Sequence, residues 1–147
     1  MRKKSIILFF LALMLSTISC REMWGDHPLG NHLSLWDGDK SDENVIVYCE
    51  GNCHGGIYVV PIRERQTNDG EYVEEATSNK KWVIAKTRKK RDNMENYWII
   101  SKDFNIENVD CSKVNCDSIL QSHVTGPLSL REFENKKKAL NIGLDFK

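Results

Sequence analysis

The chain lacks the short fingerprints that announce familiar chemistry. It contains no phosphate-cradling G-x-x-x-x-G-K-[ST], no dinucleotide G-x-G-x-x-G, no G-x-S-x-G around any serine and no H-E-x-x-H. These absences exclude P-loop enzymes, nucleotide-binding oxidoreductases, elbow-serine hydrolases and helix-borne zinc proteases. No internal repeat or low-complexity tract is present. A glycosidase pair is not indicated either: paired carboxylates such as Glu74 and Glu75 are adjacent in a polar stretch, and neighbours on a strand point to opposite sides. An excess of either charge is missing too. Its 21 basic and 21 acidic residues balance to zero, which argues against a general nucleic-acid binder.

What is present begins at the amino terminus. Arg2, Lys3 and Lys4 precede the apolar run Ile6–Leu15, and Ser16-Thr17-Ile18-Ser19 then leads to Cys20. As a helix the run would rise about 15 Å, roughly half of a bilayer's hydrocarbon core. A basic start, a short apolar run and a small residue before cysteine read as an export signal rather than a folded element. The arrangement resembles a bacterial lipobox, with cleavage after Ser19 and an acylated Cys20 as the new first residue, although Thr17 replaces the commoner leucine. Each buried CH₂ of an acyl chain contributes about 0.8 kcal/mol, so two or three chains anchor stably. Arg21 rather than aspartate follows Cys20, resembling lipoproteins released to the outer membrane. No later stretch is long enough to span. The expected organisation is a signal peptide over 1–19, a tether over 20–32 and one domain over 33–147. The leader takes three basic residues with it. The 21 less these three leave 18 against 21 acidic residues, a charge of −3.

The remainder predicts a small α+β domain: an antiparallel β-meander sheet with one packed C-terminal helix. Leu33–Trp36, Val45–Cys49 and Ile57–Val60 alternate or are β-branched, and Pro61 confines the last to an edge or exit. Arg63–Lys81 reads as polar loop with a short strand at Tyr72-Val73. Trp82–Lys86 and Tyr97–Ser101 are the strongest strands, joined by a charged loop over Arg88–Asn96. Asp103–Val124 reads as irregular, with a helical turn near Ser118–Gln121. Gly126-Pro127-Leu128-Ser129 introduces the helix: Ser129 and Glu132 form an S-x-x-E capping box, Leu130, Phe133, Lys137 and Leu140 share a face, and Gly143 stops it. Leu144-Asp145-Phe146 is expected to add a closing strand.

Taken in order, Val59-Val60-Pro61, Trp82-Val83-Ile84-Ala85-Lys86, Tyr97-Trp98-Ile99-Ile100-Ser101-Lys102 and Gly126-Pro127-Leu128-Ser129-Leu130-Arg131-Glu132-Phe133 resemble an uncharacterised family of small secreted or lipid-anchored bacterial proteins. The resemblance covers about Val45 to Lys147. It implies a fold but no activity, and it carries over no functional residue. The four later cysteines and the Asp103–Thr125 insert depart from that pattern.

Cys49, Cys53, Cys111 and Cys116 are an even set in an oxidising compartment and read as disulfides, paired either locally or across the chain. A bond closing about 60 residues would constrain the unfolded chain more than one closing four. The alternative is a zinc site built from the same four thiols with His54 as a substitute ligand. Cys49-Glu50-Gly51-Asn52-Cys53-His54 has one residue too many for haem attachment, and a redox C-x-x-C is absent. His27, His32, His54 and His123 are scattered. Asp37, Asp39 and Asp42 imitate a calcium loop without its glycine and terminal glutamate, and read as a solvated turn. No cofactor is implied. Arg88, Lys89, Lys90 and Arg91 form a basic cluster beside Trp82 and Trp98, a candidate surface for envelope polysaccharide or an acidic protein. The leading expectation is a membrane-anchored, non-enzymatic binding module of the bacterial envelope, partnered with the membrane through its lipid and not with nucleic acid. The alternatives are the zinc module and a small inhibitor or immunity-like factor.

Overall fold

The computed structural model of the chain describes residues 26–50 and 56–147. The leader, Cys20, the first part of the tether, Cys53 and His54 lie outside the described residues. The fold is α+β, as the sequence predicts, but the strands form two sheets rather than one. The first holds β1 (Asp26–Gly30), β2 (Leu33–Trp36), β3 (Val45–Tyr48) and β4 (Ile57–Val60) in that order. The second holds β5 (Glu71–Ser78), β6 (Trp82–Lys89), β7 (Glu95–Ser101) and β8 (Val124–Leu128), also in order. Each is an antiparallel meander. Among the described residues three helices accompany them: α1 (Arg63–Asp69), α2 (Cys116–Ser122) and α3 (Leu130–Ala139). Among the described residues no helix is long and apolar enough to cross a membrane.

Period-two alternation places the core. Leu33, Ile46, Tyr48, Val59 and Val60 of the first sheet meet Val73, Val83, Ala85, Trp98 and Ile100 of the second. The opposite face of the second sheet presents Ile84, Tyr97 and Ile99 to Phe133 of α3 and to Ile142. Phe133 stacks on Tyr97 with ring centres 5.1 Å apart, and burying a ring of this size stabilises by about 2–3 kcal/mol. The capping box forms as predicted: the Ser129 hydroxyl accepts from the Glu132 amide and the Glu132 carboxylate accepts from the Ser129 amide.

Several sequence expectations need correction. The tether reading ends at Asp26, because β1 pairs with β2 and buries Leu29. Pro28 is tolerated there because β1 is an edge, where a missing amide proton breaks no ladder. The polar stretch after Pro61 contains α1, and the short strand at Tyr72-Val73 grows to the eight residues of β5. Strands β6 and β7 run on to Lys89 and from Glu95, so the expected Arg88–Asn96 loop shortens to residues 90–94. The expected irregular stretch ends before Val124, where β8 begins and runs through Leu128 into the helix lead-in. Leu144 and Phe146 pack against the outer core without forming a strand. Leu130 and Leu140 are 54% and 39% exposed. The helix packs through Phe133 and the stem of Lys137, and Ile142 fills the place expected of Leu140.

Candidate functional site

The inward face of the second sheet changes character at one end. Along β6 the inward positions run Val83, Ala85, Thr87, and along β7 they run Ile100, Trp98, Asn96. The apolar rows thus end in a hydroxyl and an amide. On β5 the corresponding inward residue is Glu71, whose side chain is wholly buried. A carboxylate taken out of water needs donors, and this one has three. Thr87 donates its hydroxyl to Oε1. Asn96 donates Nδ2 to the same oxygen at 2.9 Å, and Arg65 of α1 reaches Oε2 at 3.4 Å. Thr87 in turn accepts the indole proton of Trp98 at 2.8 Å. The Arg65 guanidinium carbon lies 6.0 Å from the centre of the Trp98 ring.

In front of this network opens a cleft of about 600 Å³. The turn after β2, α1 and the β6–β7 hairpin frame it. Trp36 and Tyr58 supply aromatic walls, Asp37 and Asp42 carboxylates, Gln66 an amide and Lys90 a cation. Glu71 lies at its back, screened from solvent. Lys90 pairs with Asp42 at 3.0 Å, and that hydrogen bond holds the Asp42 carboxyl below the usual range. Arg63 of α1 lies over the Tyr58 ring, 5.6 Å from its centre.

The residues expected to bind through the basic cluster separate. Trp98 is 2% exposed and belongs to the inner core, so it supports the site from behind rather than lining the open cleft. Trp82 packs at the edge of the outer core. Arg88 is not a free cation: it binds Glu74 at 2.8 Å and Glu95 at 2.7 Å. Lys90 is committed to Asp42 and lines the cleft. Lys89 and Arg91 make no ion pair among the described residues. Arg88 and Lys90 take their carboxylates from segments distant in sequence, which is why the cluster reads as uncompensated in the sequence.

Cys111 and Cys116 bond to each other, with Cα atoms 5.4 Å apart. Cys49 is disulfide-bonded as well. Cys111 and Cys116 therefore do not cross-pair with Cys49, and these three sulfurs are held in disulfides rather than as thiolate ligands. Asp37 accepts from His27 at 3.1 Å and Asp42 pairs with Lys90, so two carboxylates of the acidic turn already have partners within the chain. Among the described residues no group of three His, Cys, Asp or Glu side chains converges on a metal position.

Sequence reading missed Glu71, Arg65, Thr87 and Asn96. The signal lay in register: once Ala85 and Trp98 face inward, Thr87 and Asn96 must follow them, two polar residues at core positions. No protein-family model, curated protein or solved structure matches this chain.

Proposed function

We propose that the chain is a lipid-anchored protein of a bacterial envelope, held at the outer membrane by an acylated Cys20, on its periplasmic or its surface side. Its domain works as a binding module without catalysis. The observation that carries the binding role is the cleft bounded by Trp36, Tyr58 and Lys90, because three segments distant in sequence close around it. Aromatic walls with a few placed polar groups are the usual composition of a ligand site. The lipobox-like leader supports the anchoring.

The test uses the full chain in its own membrane. A photo-crosslinking residue at Gln66, which lines the cleft, is compared with one at Asn135 on the exposed side of α3. A discrete adduct from Gln66 alone is the expected result. Identical adducts from both positions, or none from Gln66, would remove the cleft as the binding site. Mass spectrometry of the mature amino terminus should find acylated Cys20. An intact leader would overturn the anchoring.

A further inference from the structure

We infer that Glu71 is a receiving site for the guanidinium group of a ligand, and that Arg65 fills it in the free protein as a displaceable stand-in. This deepens the binding role proposed above and rests on it.

The receiver is built independently of α1. Glu71, Thr87, Asn96 and Trp98 all belong to β5, β6 and β7, which pair regularly at these residues, the β5 bulge lying beyond Val73. Thr87 and Asn96 both serve Oε1, so they fix the carboxylate and leave Oε2 for something else. The Trp98 indole is held by its own bond to Thr87 and offers its ring beside the carboxylate. A carboxylate next to an aromatic face is the pairing that suits a guanidinium, through forked hydrogen bonds and cation–π attraction.

Arg65 uses this receiver poorly. A guanidinium on a carboxylate normally makes two parallel bonds at about 2.7–2.9 Å. Arg65 makes one, at 3.4 Å. The helix carrying it is loosely held. It is seven residues long, buries no side chain and has no side-chain cap at its start. So short a helix has little stability of its own. Its side-chain attachments are Arg65 on Glu71 and Arg63 over Tyr58.

The route to the receiver favours a cation. The cleft on the flank of α1 carries Asp37, Asp39, Asp42 and Glu43 against the single cation Lys90. A buried carboxylate stripped of its partner is strongly unfavourable. Departure of Arg65 must therefore be coupled to entry of another cation, which makes the event an exchange. A ligand guanidinium free to set its N–H groups on Oε2 at ordinary hydrogen-bond distance would win it, and α1 would swing from the cleft as it did so.

Chemical rescue tests the site on the full chain in detergent, with methylguanidinium as the probe. Arg65→Ala should lower the thermal midpoint, and millimolar methylguanidinium should restore it saturably by about 3 °C or more. Methylammonium, which cannot fork, should restore less. The double variant Arg65→Ala/Glu71→Gln should not respond. If Arg65→Ala does not fold, Arg65→Gln takes its place, and the wild-type chain supplies a second readout. Its Trp98 indole and Asn96 amide resonances should shift saturably with the probe. No rescue together with unmoved resonances would overturn the inference, as would an equal response from the double variant. A persistent Gln66 adduct without rescue would leave the cleft and remove the guanidinium; rescue without that adduct would do the reverse.

Discussion

Gly126 lies flat against the indole of Trp98: a Cβ added at Gly126 would stand 2.6 Å from Cε3 of the ring and 2.9 Å from the Tyr97 carbonyl oxygen. Its φ of +149° is also one that side-chain-bearing residues rarely adopt. Neither obstacle yields by rotating a side chain, since Trp98 is buried and tied to Thr87 and the other neighbour is backbone. Gly126→Ala should therefore cost about 3 kcal/mol or more, the sum of overpacking and backbone strain. Urea unfolding of the variant measures it. A loss below about 1 kcal/mol would mean that β8 can move off the ring.

Thr87 relays between two buried groups, accepting from Trp98 and donating to Glu71. Thr87→Val keeps the shape and removes both bonds. It leaves an indole N–H and a carboxylate oxygen short of partners, and each such group costs about 1–3 kcal/mol. Thr87→Ser keeps the hydroxyl and loses one methyl, for about 1 kcal/mol. The expected order of stability is wild type, then serine, then valine. Equal loss in the two variants would show that the methyl group matters and the relay does not.

The two strongest strands and the capped helix were legible because each obeys a local rule. Trp82–Lys86 and Tyr97–Ser101 carry apolar side chains on both faces, and both faces are indeed covered, one by the first sheet and one by α3. Ser129 and Glu132 are three residues apart and meet as that spacing requires. Helix α1 was not legible because it buries nothing, and periodicity records only burial. The division into two sheets was hidden for another reason. The same alternating strands pair in either arrangement, and α1 between β4 and β5 decides it. The site was the least visible part. Glu71, Thr87 and Asn96 come from three strands, and only pairing register brings them together.

On the outer face of the second sheet, Glu74 joins Lys86 at 3.0 Å and Arg88 at 2.8 Å. Burial opposes the Glu74 charge, but hydrogen bonds from Lys86 and Arg88 outweigh it and hold the carboxyl below its usual range. A carboxyl depressed on folding stabilises above its unfolded pKa and loses that contribution as pH falls through the folded one. Glu74→Gln should therefore be less stable than wild type at pH 7, by about 0.5–1 kcal/mol after solvent screening. The gap should close as acid protonates Glu74 in the wild type. Thermal midpoints at pH 7, 5 and 3 follow it. A gap independent of pH would assign the loss to packing.

Gln121 covers the free edge of the first sheet. From α2 its Nε2 donates to the carbonyls of Tyr58 at 3.3 Å and Val59 at 3.2 Å, both on the edge strand β4. An open edge invites pairing with other chains, and a side-chain amide that occupies its acceptors blunts it. The Cys111–Cys116 bond closes the loop leading into α2 and so helps to place Gln121. Gln121→Ala should cost about 1 kcal/mol, the worth of two long hydrogen bonds. It should also speed hydrogen exchange in β4 and raise the tendency to self-associate. Gln121→Glu is the sharper variant. It keeps the size but turns a carboxylate oxygen toward two carbonyl oxygens with no proton between them, so it should be less stable than the alanine variant at pH 7. Protonation in acid would give that side chain a donor again and narrow the difference. A glutamate variant as stable as wild type at pH 7 would show that α2 covers the edge by bulk alone.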